Sequence, residues 1–175
     1  MSERRWFGLQ AGASNWLWLS LAVVALDQWT KYLVTNNLEI YEQVILLPVL
    51  ELMRVHNTGA AFSFLSGASG WQRWLFTALA LLVSAAILVW LRRLPARGRS
   101  LLAAGLSLVL GGALGNVIDR VLWAYVIDFI RVHYADWYFP AFNVADSAIT
   151  IGAGLLILDT LIDHGRVREA RGDRA

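Results

Sequence analysis

Four long apolar stretches dominate the pattern of the chain, running from about Trp16 to Val34, Trp74 to Leu91, Leu101 to Ile118 and Val144 to Ile162. A helix needs about 20 residues to cross a bilayer, so each stretch predicts a membrane-spanning helix. An N-terminal signal peptide competes for the first, because Arg4 and Arg5 precede it. No small-residue cleavage site follows, however, and Asp27, Gln28 and Lys31 interrupt its far end, so it is read as a retained span. The connection at about 35–73 alternates polar and apolar positions from Gln43 to Leu52, the period of short strands. The connection at about 119–143 carries Trp123, Tyr125, Trp137, Tyr138 and Phe139, aromatics suited to a headgroup zone. No repeat, linker or second domain interrupts the chain, and 1–175 is read as one polytopic membrane domain.

Composition supports the spans. Hydrophobic residues make up 58% of the chain and charged residues only 16%, the reverse of the shift expected for a soluble domain. Basic residues then give orientation. Arg4 and Arg5 precede the first span, Arg92, Arg93, Arg97 and Arg99 lie between the second and third, and Arg166, Arg168, Arg171 and Arg174 follow the fourth. Four spans put all three groups on one side, which the positive-inside bias makes the cytoplasm, with both termini there. A net charge of only +2, grouped in this way, argues for orientation in a membrane and against nucleic-acid binding. The absence of cysteine excludes disulfides, thiol catalysis and thiolate metal sites. His56, His133 and His164 lie far apart with no HExxH pattern, so neither a metal nor a cofactor is expected.

On this map the ionisable residues gather at one face of the membrane. Asp27 and Lys31 fall in the outer half of the first span, Asn116, Asp119 and Arg120 at the outer end of the third, and Asn143, Asp146 and Ser147 at that of the fourth. Asp128 lies in the apolar return segment Val126-Ile127-Asp128-Phe129. Polar groups beside spans are expensive and serve function or pair with one another. Two carboxylates brought together share a proton, so one takes a proton from water while the other polarises a carbonyl. Blander readings stand beside this one. Asp146 suits a helix N-terminus, and Asp128 suits a surface loop. Asp119 balances the charge of adjacent Arg120, and Asp27 and Lys31, four apart, form an ion pair that fixes the first span. Asp159 lies near the cytoplasmic end of the fourth span and has no catalytic role. Asp146, Thr150, Ala153 and Gly154 share a helix face expected to pack toward the bundle interior. Gly105, Gly111, Gly112 and Gly115 give the third span a small-residue surface for close helix packing. Asn57-Thr58-Gly59 reads equally as an ordinary turn.

Five segments together resemble the lipoprotein signal peptidase family, the bacterial signal peptidase II. They are Asp27-Gln28-Trp29-Thr30-Lys31, Asn57-Thr58-Gly59-Ala60-Ala61-Phe62-Ser63, the run from Gly111 to Arg120, Val126-Ile127-Asp128-Phe129, and Phe142-Asn143-Val144-Ala145-Asp146. The resemblance covers roughly residues 15 to 163. It implies an all-α membrane protein, a four-transmembrane-helix bundle with a small periplasmic β-sheet and loop subdomain beside the site. It implies an aspartic endopeptidase of the bacterial inner membrane that removes signal peptides from prolipoproteins, cutting just before a diacylglyceryl-modified cysteine near the periplasmic face. Asp128 and Asp146 are then the catalytic pair; Asn116, Arg120 and Asn143 support it; Asn57, Asp27 and Lys31 shape the substrate pocket. The implied partners are diacylglyceryl-modified prolipoproteins, membrane lipid and a globomycin-type inhibitor, with no nucleic acid. Nothing in the sequence calls for an obligate protein partner, so a monomer is expected.

Two alternatives stay open at this point. A Ser/Lys protease would use Lys31, the only lysine, with Ser63, Ser66 or Ser147. A small membrane transporter or assembly factor without enzymatic activity would spread its acids through the membrane depth instead of gathering them at one face.

Overall fold

The computed structural model describes residues 12–59 and 70–172. A single 3-10 turn, Ser14–Trp16, leads into helix α1, Leu17–Asn37. Strands β1, Gln43–Leu47, and β2, Leu50–Asn57, follow. Helices α2, Trp71–Arg93, and α3, Ser100–Trp123, come next. Strands β3, Val126–Tyr134, and β4, Trp137–Tyr138, precede the last helix, α4, Val144–Gly172.

The helices are inverted relative to a soluble bundle. On α1 the buried residues are Ser20, Val23, Asp27, Lys31 and Val34, spaced three or four apart on one stripe. Trp18, Leu21, Leu26, Trp29, Tyr32 and Leu33 are exposed on its other faces. Helix α2 buries Gln72, Thr77 and Ser84 together with Ile87 and Leu91 while exposing Leu75, Leu79, Leu82 and Val89. Apolar side chains facing outward and polar ones inward suit a lipid surround, where the interior has no hydrophobic advantage over the exterior. Among the described residues, three helical segments are long and apolar enough to cross a membrane: Trp71–Arg93, Ser100–Trp123 and Val144–His164. Helix α1 matches them in length, but Asp27, Gln28 and Lys31 lower its apolarity.

Helix α3 is the axis of the bundle and touches each of the other three. It can do so because its glycines admit neighbouring backbones. A β-carbon on Gly112 would sit 2.3 Å from the Ala145 carbonyl oxygen of α4, and one on Gly111 2.8 Å from the Ser20 carbonyl oxygen of α1. At the N-terminal end of α3, Leu102, Ala103, Leu106 and Leu110 pack with Ala13, Ile87, Leu91 and Leu94 into an apolar core. The polar residues sit at the other end, so core and site divide the bundle lengthwise.

The strands form one four-stranded antiparallel sheet in the order β1-β2-β3-β4. The first connection supplies β1 and β2, and β3 and β4 come from the second. The sequence pattern hid β3 because its first four residues, Val126 to Phe129, are all buried and show no alternation. Hydrogen bonds tie the sheet to the helices. The Arg54 guanidinium of β2 donates to the Thr35 and Leu38 carbonyls at the end of α1, at 3.1 and 3.0 Å. Phe142, just before α4, exchanges backbone hydrogen bonds with Ile130 of β3.

Candidate active site

Local structure brings Asp128 and Asp146 to one place. Helix α3 stops at Trp123 because Ala124 adopts a left-handed conformation, φ 69°, which turns the chain straight into β3. The β3 strand then carries Asp128 opposite Val55 of β2, diagonal to Asn57. The Asn57 side-chain amide donates to Asp128 Oδ2 at 2.9 Å, and its Oδ1 accepts the Gly59 N–H at 2.9 Å. The second motif therefore forms an Asx turn that also holds a carboxylate.

Asn143 caps the N-terminus of α4. Its Oδ1 accepts the Asp146 N–H at 2.9 Å, and Asp146 Oδ2 accepts the Asn143 N–H at 3.3 Å, a reciprocal capping arrangement. The helix-start reading of Asp146 is thus correct as far as it goes. Its other oxygen, Oδ1, accepts the Asn116 amide of α3 at 2.8 Å. The Asn143 amide meanwhile donates to Asp128 Oδ1 at 2.7 Å and to Asn116 Oδ1 at 3.2 Å. Asn143 is hydrogen-bonded to both aspartates, and its side chain is fully buried.

The environments of the two acids differ. Asp128 is 2% exposed. Burial pushes its pKa from 3.8 up to about 7; the Asn57 amide opposes the rise, the nearby charge of Asp146 adds to it, and the Asn143 amide and Lys31 oppose it. Asp146 is half-buried, with both oxygens accepting N–H groups. Both aspartates open on one cavity of about 860 Å³, which Asn57, Arg120, Phe76, Phe139 and Ile151 also line. The Arg120 guanidinium lies over the Phe76 ring, 5.8 Å from its centroid, and donates to the Asn116 carbonyl at 3.3 Å. His56 lines the same cavity, stacked on Tyr125 at 3.9 Å, and its Nε2 accepts from Arg54 at 3.2 Å. Burial holds its pKa below the usual histidine value, and neighbouring Arg54 adds to the effect. Among the described residues, no group of three or more His, Asp or Glu side chains could hold a metal ion.

Three expectations are refined. First, Asp27 and Lys31 form the expected pair, at 2.8 Å; neither lines the cavity itself, and at 0% and 2% exposure they lie behind it. Second, Asp119 does more than balance the charge of Arg120. Neighbours in a helix point about 100° apart, and Asp119 turns inward to Lys31 at 2.8 Å, while its oxygens also accept Gln28 Nε2 at 2.9 Å and the Ile127 N–H at 3.1 Å. Third, Thr150, Ala153 and Gly154 are exposed, and nothing lies within 4 Å of a β-carbon on Gly154. The packed face of α4 is instead Ala145, Ala148 and Gly152, and the face bearing Asp146, Ser147 and Thr150 fronts the cavity. Close packing there would have closed the site. Gln28, a member of the first motif with no assigned role, proves to bridge Asp27, Asp119 and the Gly115 carbonyl. Ser63 and Ser66 lie outside the described residues.

A helical bundle with apolar outer faces and with Asp27, Lys31, Asp119 and Asp128 buried together at one end is the build of a multi-pass membrane protein with a polar site. Comparison with known proteins narrows this class. The sequence model for signal peptidase (SPase) II matches residues 19–162. The lipoprotein signal peptidase of Pseudomonas syringae pv. tomato is 56% identical over 150 residues, covering 85% of this chain and 86% of that protein. That of Acinetobacter baylyi is 49% identical over 156 residues, covering 89% and 87%. Among solved structures, a bacterial membrane enzyme determined by the in meso method superposes with a TM-score of 0.76 at 32% identity, over 87% of this chain and 91% of that one. The chain belongs to the signal peptidase II family, and it is a membrane protease.

Proposed function

We propose that this chain removes signal peptides from prolipoproteins, hydrolysing the peptide bond just before a diacylglyceryl-modified cysteine, with Asp128 and Asp146 as the catalytic pair. The observation that carries the assignment of the pair is the single asparagine, Asn143, hydrogen-bonded to both carboxylates on the wall of one cavity. Their environments divide the labour. Asp146, whose two oxygens accept N–H groups and face the cavity, acts as the general base. Asp128, with a pKa near 7, holds the proton and polarises the scissile carbonyl. Asp146 takes a proton from water as the water oxygen bonds to the carbonyl carbon, and Asp128 gives its proton to the carbonyl oxygen. The tetrahedral intermediate then collapses: Asp128 takes back a proton as the carbonyl re-forms, the C–N bond breaks, Asp146 passes its proton to the leaving nitrogen, and the new carboxyl end departs. Arg120 and Asn116 keep the carboxylates in register.

The membrane setting follows the same reading. Helix α1 is the fourth span, since its polar stripe faces α3 and its exposed faces are apolar. The grouping of the basic residues supports a reading with both termini in the cytoplasm of a bacterial inner membrane and the site near the periplasmic face. There the lipid anchor of the substrate holds the scissile bond beside the cavity. The protein works as a monomer in contact with membrane lipid, and a globomycin-type cyclic peptide blocks the cavity.

A Ser/Lys mechanism fits poorly. The three N–H groups of Lys31 are directed at Asp27, Asp119 and Asn116, and Ser147 donates to the Asn143 carbonyl at 2.9 Å. The test is cleavage by purified protein in detergent micelles of a prolipoprotein with and without its diacylglyceryl group. Cleavage of the modified form only is expected. A folded protein that cuts neither form would overturn the reading and return attention to a transporter or assembly factor.

A further inference from the structure

Behind the two aspartates lies a second cluster that the hydrolytic step does not use: Asp27 and Lys31 of α1 with Gln28 beside them, and Asp119 of α3. Lys31 is 2% exposed, and its side chain runs inward between α1 and α3. An ammonium group has three N–H donors. Here they meet Asp27 Oδ2 at 2.8 Å, Asp119 Oδ2 at 2.8 Å and Asn116 Oδ1 at 3.1 Å.

The third contact matters for the site. An amide side chain can be turned over, exchanging its oxygen for its NH2 group. Asn116 Oδ1 faces both the Lys31 ammonium and the Asn143 amide, two donors, so the oxygen must point that way. The NH2 group is then left pointing at Asp146 Oδ1, 2.8 Å away. Turned over, Asn116 would set its NH2 group against a cation and its oxygen against a carboxylate. Lys31 also polarises the amide, which strengthens the bond Asn116 donates to Asp146.

The cluster is anchored on every side. Asp27 Oδ1 accepts the Ala145 N–H at the start of α4 at 2.9 Å, and Asp119 Oδ2 accepts the Ile127 N–H one residue before Asp128. Gly115 lies where a β-carbon would come within 2.7 Å of Asp27 Oδ2, so the glycine leaves the carboxylate its room.

We infer that Lys31 is a positioning residue for hydrolysis: without touching substrate, it sets the orientation and polarity of the Asn116 amide that holds Asp146. The inference rests on the assignment of Asp128 and Asp146 as the catalytic pair. A residue acting in this way alters the chemical step and leaves substrate binding alone, whereas a pocket-lining residue does the reverse.

The experiment compares kcat and KM per folded molecule for wild type, Lys31→Met, Asn116→Ala and the double variant, in micelles with a diacylglyceryl-modified prolipoprotein. Lys31→Met leaves two buried carboxylates facing each other, so Asp27→Asn/Lys31→Met, which removes one negative charge along with the positive one, stands in wherever the single variant does not fold. Lys31→Met or its stand-in is expected to lose about tenfold or more in kcat, the scale of a hydrogen bond to a charged group, with KM nearly unchanged. In the Asn116→Ala background the same change at position 31 is expected to have little further effect, because the group it acts through is gone. Wild-type kcat in the folded Lys31 variants overturns the inference. So does a rise in KM at constant kcat, or full additivity with Asn116→Ala. Asp128→Asn and Asp146→Asn run alongside as controls. Turnover in either overturns the pair assignment and this inference with it, whereas inactive controls beside unaltered Lys31 variants overturn this inference alone.

Discussion

Burying Asp128 has a cost in stability that can be measured through its pH dependence. The folded protein holds a proton on this group up to about pH 7, while an unfolded chain releases it near the ordinary value of 3.8. The folded state therefore binds the proton more tightly, and stability falls as pH rises through that window, the reverse of a salt-bridged carboxylate. A rise of that size corresponds to about 4 kcal/mol at about 1.4 kcal/mol for each tenfold. The full loss is present above about pH 7, and little of it below the unfolded value. Asp128→Asn removes the titration and keeps the shape. Its new amide faces two amide donors, from Asn57 and Asn143, but that offset does not change with pH. Denaturant or thermal unfolding in micelles, compared between wild type and Asp128→Asn, isolates the group. The stability of the variant relative to wild type should improve by about 3 kcal/mol between about pH 4.5 and about pH 8. A difference that stays constant across that range would refute the argument, because Asp128 would then titrate as a solvated acid.

Two further outcomes follow from the packing. Gly112→Ala puts a β-carbon 2.3 Å from the Ala145 carbonyl oxygen, so α3 and α4 must separate. A loss of about 1–3 kcal/mol in stability is expected in micelle unfolding, together with reduced turnover, since Asp146 begins the displaced helix; unchanged melting and activity would contradict this. Asp159→Asn should leave turnover within about twofold of wild type in the same cleavage assay, because Arg99, 4.0 Å from Asp159, also pairs with Asp163 and lies at the end of the bundle away from the site. Severe loss of activity there would mean that the division of the bundle into core and site ends is mistaken.

The helices and the sheet were legible to different degrees, for physical reasons. Long apolar runs located α2 and the starts of α3 and α4 to within a few residues, because outward-facing side chains in lipid need to be apolar whatever the interior holds. Helix α3 runs on past Ile118 to Trp123, and α4 past Ile162 to Gly172, on more polar sequence that the apolar pattern does not mark. The alternation that predicted β1 and β2 was visible between Gln43 and Leu52. It was absent from the start of β3, where both faces are covered, and a buried aspartate in an apolar run was the signal left there. Convergence of the acids at one end was legible because topology alone dictates it. Partner choice was not. Asp119 stands beside Arg120 in the chain yet turns to Lys31, and only the helix geometry separates the two. The same geometry decided which face of α4 packs. Small residues occur on both faces, and it is Gly152 against Gly105 and Ala145 against Gly112 that close the contact. The role of Gln28 left no trace, because a glutamine beside a buried acid has the same spacing whether it bridges carboxylates or faces outward.

The central claim is that two aspartates from different elements, Asp128 on β3 and Asp146 on α4, carry out the hydrolysis together. It is tested most directly by gel-shift cleavage of a diacylglyceryl-modified prolipoprotein with wild type, Asp128→Asn and Asp146→Asn, each first shown to be folded in micelles. Cleavage by wild type and none by either variant is the predicted result. Near-normal cleavage by either variant would contradict the claim and remove that residue from the catalytic pair.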